Sequence, residues 1–347
     1  MLNAASQDIF PEIADGERAL VARLIDAVAG AGVRAGPIPV VNFYVALKSK
    51  PLALLAGPVH SGKIALVESL AQILTGGARV QCQMLVGHAW WAGRSESVAL
   101  CTEAQSRLNA GKVLALVEEA IQPENANRVY LACLSRISPA EVVGLLAEVA
   151  LQLQADSLLS LSGLQLDRPV RFPPNLLLTA TMDTDRFDWV DAQLVSHTTL
   201  IEWPASSTKP AEPTGPAPKL VGGEQLFVRA CVRDARAARA KLRRILGAWP
   251  AAFSPLARIV ALLKDAGENT ASVLGDVLVF LANAWTSAGH GLFDPTPARN
   301  LAIAADLALA QTLLPRLVLT RALRRQLSNE LIESQYSISA AALERFD

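Results

Sequence analysis

Aromatic side chains make up only 5% of the 347 residues, and neither sign of charge is in excess, with Lys plus Arg and Asp plus Glu at 32 each. Cancelled charge leaves no global field to draw the chain to nucleic acid or to a membrane surface, so partners have to be argued from local sites. Scarce aromatics beside 51% apolar residues, chiefly Leu and Ala, favour helices packed on a sheet over an all-β sandwich. The four cysteines, Cys82, Cys101, Cys133 and Cys231, show neither CxxC spacing nor a His at ligand spacing. This excludes a zinc site and a disulfide framework and predicts reduced, buried thiols. Met1 to Pro11 holds Asp8 and no basic-then-apolar run, so no secretory signal is expected. No stretch reaches the ~18 uninterrupted apolar residues that span a bilayer. The expectation is a soluble, cytoplasmic protein with no membrane partner.

What is present is an alternation of patterns. Leu20, Val21, Leu24, Ile25 and Val28 fall at helical spacing, predicting an amphipathic helix over 16–29. Gly30, Gly32, Gly36, Pro37 and Pro39 break the chain before a second segment, Val40 to Leu47. From Pro51 to Asn175 short apolar runs alternate with helical ones, as a βαβ architecture requires. Leu52 to Ala56, Val129 to Leu134 and Leu176 to Thr181 read as strands. Ile64 to Leu74 and a segment from Pro139 to about Leu153 read as helices, and Ser157 to Arg171 around Gly163 as a hairpin. Residues 204–223 carry five prolines with almost no large apolar side chains, which reads as a mobile, exposed linker. Beyond it, about five helices are expected: Glu224 to Leu246, Pro255 to Leu263, Ala271 to Ala288, Ala298 to Leu314 and Leu319 to Glu333. The division expected is an N-terminal helix (1–36), an α/β core with a parallel sheet (37–203), a linker (204–223) and an all-helical domain (224–347).

Gly57-Pro58-Val59-His60-Ser61-Gly62-Lys63 fits GxxxxGK. Its place between a predicted strand and a predicted helix is where such a loop can wrap phosphate in backbone N–H groups and a helix N-terminus. Gly57, Pro58, Val59, His60, Ser61, Gly62, Lys63 and Ile64 are therefore the candidate nucleotide-binding residues. Ile64 stands where a Ser or Thr hydroxyl would reach Mg²⁺, and a hydrocarbon cannot ligate a cation that wants oxygen.

Residues 42–48 (Asn-Phe-Tyr-Val-Ala-Leu-Lys), the run Leu55-Ala56-Gly57-Pro58 with Gly62-Lys63, the stretch Pro173 to Asp183 and the stretch Asp306 to Leu317 together resemble McrB-like AAA+ proteins, the nucleotide-driven motors of restriction systems. The likeness covers residues 38 to about 325 in order. It implies an AAA+ phosphate-loop core followed by a helical lid, with nucleotide sites lying between subunits. It also implies where the remaining site residues fall, and the sequence departs at each place. Ala132 replaces the metal-holding Asp, Cys133 the water-activating Glu, Asp183 the sensor Asn and His197 the arginine finger. Phosphoryl transfer depends on positioning and charge neutralisation, so these losses together predict no catalytic and no metal-ligating residue. What remains is weak binding of ATP or GTP with no Mg²⁺ held by the protein. The implied role is a structural or regulatory subunit of a mixed assembly, beside copies of itself or an active AAA+ paralogue, in a restriction or phage-defence setting with an effector such as a nuclease. McrB-like proteins often carry a DNA-recognition domain before the core, and none is expected in the 36 residues that stand there here.

The competing reading places the metal-binding strand at Leu114 to Glu119, so that Glu118 and Glu119 serve an active ATP- or GTP-hydrolysing motor. Val113, Leu116, Val117 and Ala120 instead continue a helical spacing that begins near Ala99. Arg229, Arg233, Arg236, Arg239, Lys241, Arg243 and Arg244 form a basic stripe that reads as a solvated helix face interrupted by Asp234, and direct nucleic-acid contact is left open. His88, Trp90 and Trp91 read as packing residues or, by the resemblance, as a pore or subunit contact. His60 and His290 read as loop residues.

Overall fold

Leu52 to Ala56 is apolar at every position, so neither face of it can meet water, and it forms the buried strand β1 (Leu52–Gly57). In the computed structural model, which describes residues 9–86, 97–137, 147–154, 158–160, 170–185, 198–204, 217–247, 253–267, 271–317 and 319–345, β1 lies inside a five-stranded parallel sheet. The other strands are β2 (Cys82–Val86), β3 (Tyr130–Ser135), β4 (Leu176–Asp183) and β5 (Thr199–Glu202), in the order β2-β3-β4-β1-β5. β4 is buried along its whole length. β2 and β5 were not legible as strands, being five and four residues long.

The chain forms two compact units. The first comprises residues 22–40 and 50–229, and the second residues 1–21, 41–49 and 230–347. The N-terminal helix α1 (Ile9–Gly30) and the second helix α2 (Pro37–Ser49) contribute residues to both. In the sheet unit, α3 (Lys63–Thr75) follows the loop after β1 and stops at Gly76, whose left-handed φ of 72° lets its N–H return to Gln72 O. The helix α4 (Ser97–Ala120) leads through a short turn at Pro123–Asn125 to β3, and α5 (Ala147–Gln154) precedes β4.

The sheet unit extends past the expected linker. Its last helix, α6 (Gly223–Ala230), is held by Glu224, which accepts hydrogen bonds from Gln81 Nε2 (2.5 Å) and Val129 N (3.0 Å) and pairs with Lys219 (2.9 Å). Leu220 N donates to Ile73 O at 2.8 Å. Residues 217–229 are thus part of the α/β unit, and most of the proline-rich stretch, 205–216, lies outside the described residues.

The second unit is helical: α7 (Ala235–Leu246), α8 (Ser254–Asp265), α9 (Ala271–Asn283), α10 (Pro297–Ala308), α11 (Arg321–Glu333) and α12 (Ser337–Arg345). The single helix expected from Glu224 to Leu246 is two. Asp234 takes an extended conformation and its carboxylate accepts from Ala237 N at 2.6 Å, capping a fresh helix start. α10 passes into a π turn (Leu309–Leu313) and a 3-10 turn (Leu314–Arg316) rather than running on as one helix. The carboxylate of Asp306 accepts from Ile338 N (3.0 Å) and Ser339 N (2.7 Å), fixing the start of α12, a helix the sequence pattern did not reveal.

Candidate functional site: the phosphate loop

In the sheet, β1 lies between β4 and β5. The connection leaving β1 passes over β4 and β3 to reach β2, whereas the one leaving β4 passes β1 to reach β5. The C-terminal end of β1 is therefore where connections diverge, the place at which open α/β sheets bind ligands. The loop from Gly57 to Lys63 begins there and runs into α3. The arrangement is an open parallel α/β sheet with a strand–loop–helix at its ligand-binding end.

The loop conformation is dictated by close approaches. A Cβ on Gly57 would lie 2.4 Å from Trp203 O, and one on Gly62 would lie 2.6 Å from Val33 Cγ2, with Gly62 φ at 90°. Both positions need glycine. His60 adopts φ 60° and is exposed. The indole of Trp203 donates from Nε1 to Ser61 O at 2.8 Å, and Thr184 N donates to Gly57 O at 3.0 Å. Trp203 and Val33 carried no sequence signal for this role, because their partners are remote in the chain.

Lys63 is buried, and its ammonium group folds back onto the loop. Nζ donates to Gly57 O (2.8 Å), Pro58 O (2.6 Å) and Ser61 Oγ (3.2 Å) and lies 3.1 Å from Asp183 Oδ1. Register explains the ion pair, since Gly57 is directly opposite Asp183 in the β1–β4 ladder. Burial lowers the Lys63 pKa below its ordinary value. The Asp183 hydrogen bond and the charges of Asp183 and Asp185 oppose this, and the Arg136 cation adds to it. Asp185 also accepts from Val59 N at 2.7 Å.

β3 offers the loop no carboxylate. From Tyr130 to Ile137 the chain reads Tyr-Leu-Ala-Cys-Leu-Ser-Arg-Ile. Cys133 pairs in register with Thr179, and Thr179 with Ala53, so Ala132 and Cys133 lie within the sheet, below the level of Gly57. Both are fully buried. Burial pushes the Cys133 thiol up to about 12 despite its hydrogen bond with Thr179, so it stays protonated at neutral pH and cannot act as a base. The end of β3 nearest the loop presents Ser135 and Arg136, the latter at φ 56°.

Glu118 and Glu119 are exposed at the end of α4, a helix throughout its last turns. That end is anchored to the start of β4, where Asn175 Nδ2 donates to Ala120 O (3.1 Å) and Asn125 O (3.0 Å). It lies at the N-terminal edge of the strands, opposite the loop, so neither glutamate reaches the phosphate loop. The helical spacing predicted the helix, whereas its place relative to the loop is set by the sheet, and a strand over Leu114 to Glu119 is not what forms.

His88, Trp90, Trp91 and His197 lie outside the described residues. His290, on an exposed turn closed by Thr286 N donating to His290 O, is a loop residue. Of the basic stripe, Arg236, Arg239, Arg243 and Arg244 are exposed on α7, Lys241 is turned to Trp285 O (2.7 Å), and Arg229 belongs to α6. Cys133 is buried as expected, whereas Cys82 and Cys231 are only partly so. Among the described residues no cluster of His, Cys, Asp and Glu could hold a metal, and no helix is long and apolar enough to cross a membrane. A magnesium–nucleotide complex fits these residues poorly: Ile64 supplies no oxygen and β3 no carboxylate where the metal would be held, and the loop lysine is already paired.

No family model matches the chain, and no curated protein matches it. Among solved structures it is similar to a candidate ATPase from Cytophaga hutchinsonii ATCC 33406, with 11% identity, 93% of this chain and 96% of that chain covered, and a TM-score of 0.47.

Proposed function

We propose that this chain is a degenerate AAA+ subunit that does not hydrolyse nucleoside triphosphate by itself and serves as a structural or regulatory member of a mixed, nucleotide-driven assembly. The observation that carries the reading is the absence of any carboxylate on β3 and the two residues after it, Tyr130 to Ile137, which holds whichever residue is aligned with the missing acids. The phosphate-loop fold and the resemblance to McrB-like proteins support the AAA+ assignment, with the C-terminal helices as the lid and a restriction or defence setting. Sites shared between subunits let a protomer without its own chemistry complete a competent neighbour's.

Groups that act as a unit return little when one is restored without the others. Phosphate release is therefore to be measured for the wild type, Ile64→Thr, and the combined Ile64→Thr, Ala132→Asp, Cys133→Glu, each alone and mixed with an intact AAA+ protein encoded nearby. The expected result is no turnover by the wild type or the single variant alone, and turnover in the mixture that depends on the partner's catalytic residues. Steady release by the wild type alone, abolished by Lys63→Ala, would overturn the proposal.

A further inference from the structure

We propose that Asp183 and Asp185 are internal anions of the phosphate loop: they occupy the lysine and the backbone donor that a polyphosphate would use, and so set the loop's low affinity for nucleotide. This deepens the non-hydrolysing reading above and rests on it for the identity of the site.

The argument is one of donor accounting. A lysine ammonium group has three protons and no acceptor. Here Nζ already serves Gly57 O, Pro58 O and Ser61 Oγ, with the Asp183 carboxylate at 3.1 Å. The Val59 N–H, one of the loop amides available to a phosphate oxygen, is spent on Asp185 Oδ2. Charge agrees with geometry. Among the described residues the charged groups acting on Lys63 are Asp183, Asp185 and Arg136, so there two cations face two carboxylates and leave no surplus positive charge to attract phosphate. Asp183 is 5% exposed, so its repulsion of an incoming anion is poorly screened by water. Its main chain is held beside the loop, because the ladder sets Asp183 opposite Gly57 and Thr184 N is bonded to Gly57 O.

The test uses inorganic pyrophosphate and ATP without metal, titrated calorimetrically into the full chain. Compared are wild type, Asp183→Asn, Asp185→Asn, the double variant, and the double variant carrying Lys63→Met. The double variant should bind pyrophosphate at least about tenfold more tightly than wild type, about 1.4 kcal/mol at that ratio, and the gain should vanish with Lys63→Met. Equal affinity of wild type and double variant, or no binding by either, overturns the proposal. If Asp183→Asn loses its native circular dichroism, Asp185→Ala, at an exposed position and with no acceptor left for Val59 N–H, carries the test alone, and no gain in that variant overturns the proposal. Phosphate release measured on the same protein preparations, with ATP and Mg²⁺ added, separates the two claims. Hydrolysis by the wild type refutes the function proposed above without bearing on the carboxylates, whereas unchanged pyrophosphate affinity refutes the carboxylates alone.

Discussion

Lys241 places its ammonium group against the carbonyl oxygen of Trp285 at 2.7 Å. Burial pulls its pKa down to about 7; the charges of Lys48 and Arg244 add to this, and those of Glu17 and Cys231 oppose it. An unfolded lysine titrates near ~10.4, so between about pH 7 and about pH 10 the unfolded chain binds the extra proton. Stability therefore rises with pH across that window and is lowest below it, where the buried charge is fully present. Lys241→Met should stabilise the chain at neutral pH and flatten that slope. Urea unfolding at several pH values checks this, and an unchanged slope would show that Lys241 is not its source. The sequence shows Lys241 only as one more member of a basic stripe. Which of those cations is turned inward depends on Trp285, 44 positions away.

At the scale of elements, helices α1, α2 and α9 are joined by a buried polar knot. Lys48 Nζ lies 2.5 Å from Glu17 Oε1 and 3.0 Å from Asn283 O, with the Tyr44 ring 5.5 Å away. Asn283 in turn donates to Ser49 Oγ, Val232 O and Val279 O. Both ions of the pair are almost fully buried, so removing one strands the other. Glu17→Ala is expected to cost about 3–5 kcal/mol, whereas Glu17→Met with Lys48→Met together should cost far less. Chemical denaturation of both variants tests the knot, and equal losses would mean that packing, not charge, dominates. Helix periodicity made α1 legible but not this knot. An ion pair between residues 17 and 48, closed by a carbonyl at 283, leaves no periodic trace.

At the scale of the molecule, the helical unit is discontinuous: residues 1–21 and 41–49 belong with 230–347. The expected division at residue 224 followed composition, which marks where burial stops along the chain but cannot say which distant segments share a core. A fragment of residues 230–347 lacks Glu17, Lys48 and Ser49, and leaves Gln311 without the amide of Asn42, 3.1 Å away in the whole chain. It should show no cooperative unfolding transition by circular dichroism and should regain one when coexpressed with residues 1–49. A fragment that unfolds cooperatively alone at the midpoint of the full chain would show that the C-terminal helices suffice.

The sequence alone determined what is chemically absent. Ile64, Ala132, Cys133 and the rest of β3 carry no oxygen ligand or base in any conformation short of a hydroxyl, because that is a property of side-chain identity. It also determined the strand–loop–helix setting of Gly57 to Lys63, since glycine, apolar runs and helical spacing act locally. Only the tertiary structure decided where Lys63 spends its charge. Its partner Asp183 is brought opposite Gly57 by the parallel pairing of β1 with β4. Pairing between strands so far apart in the chain is fixed by how the whole sheet buries its apolar faces, and that is a property no local pattern encodes.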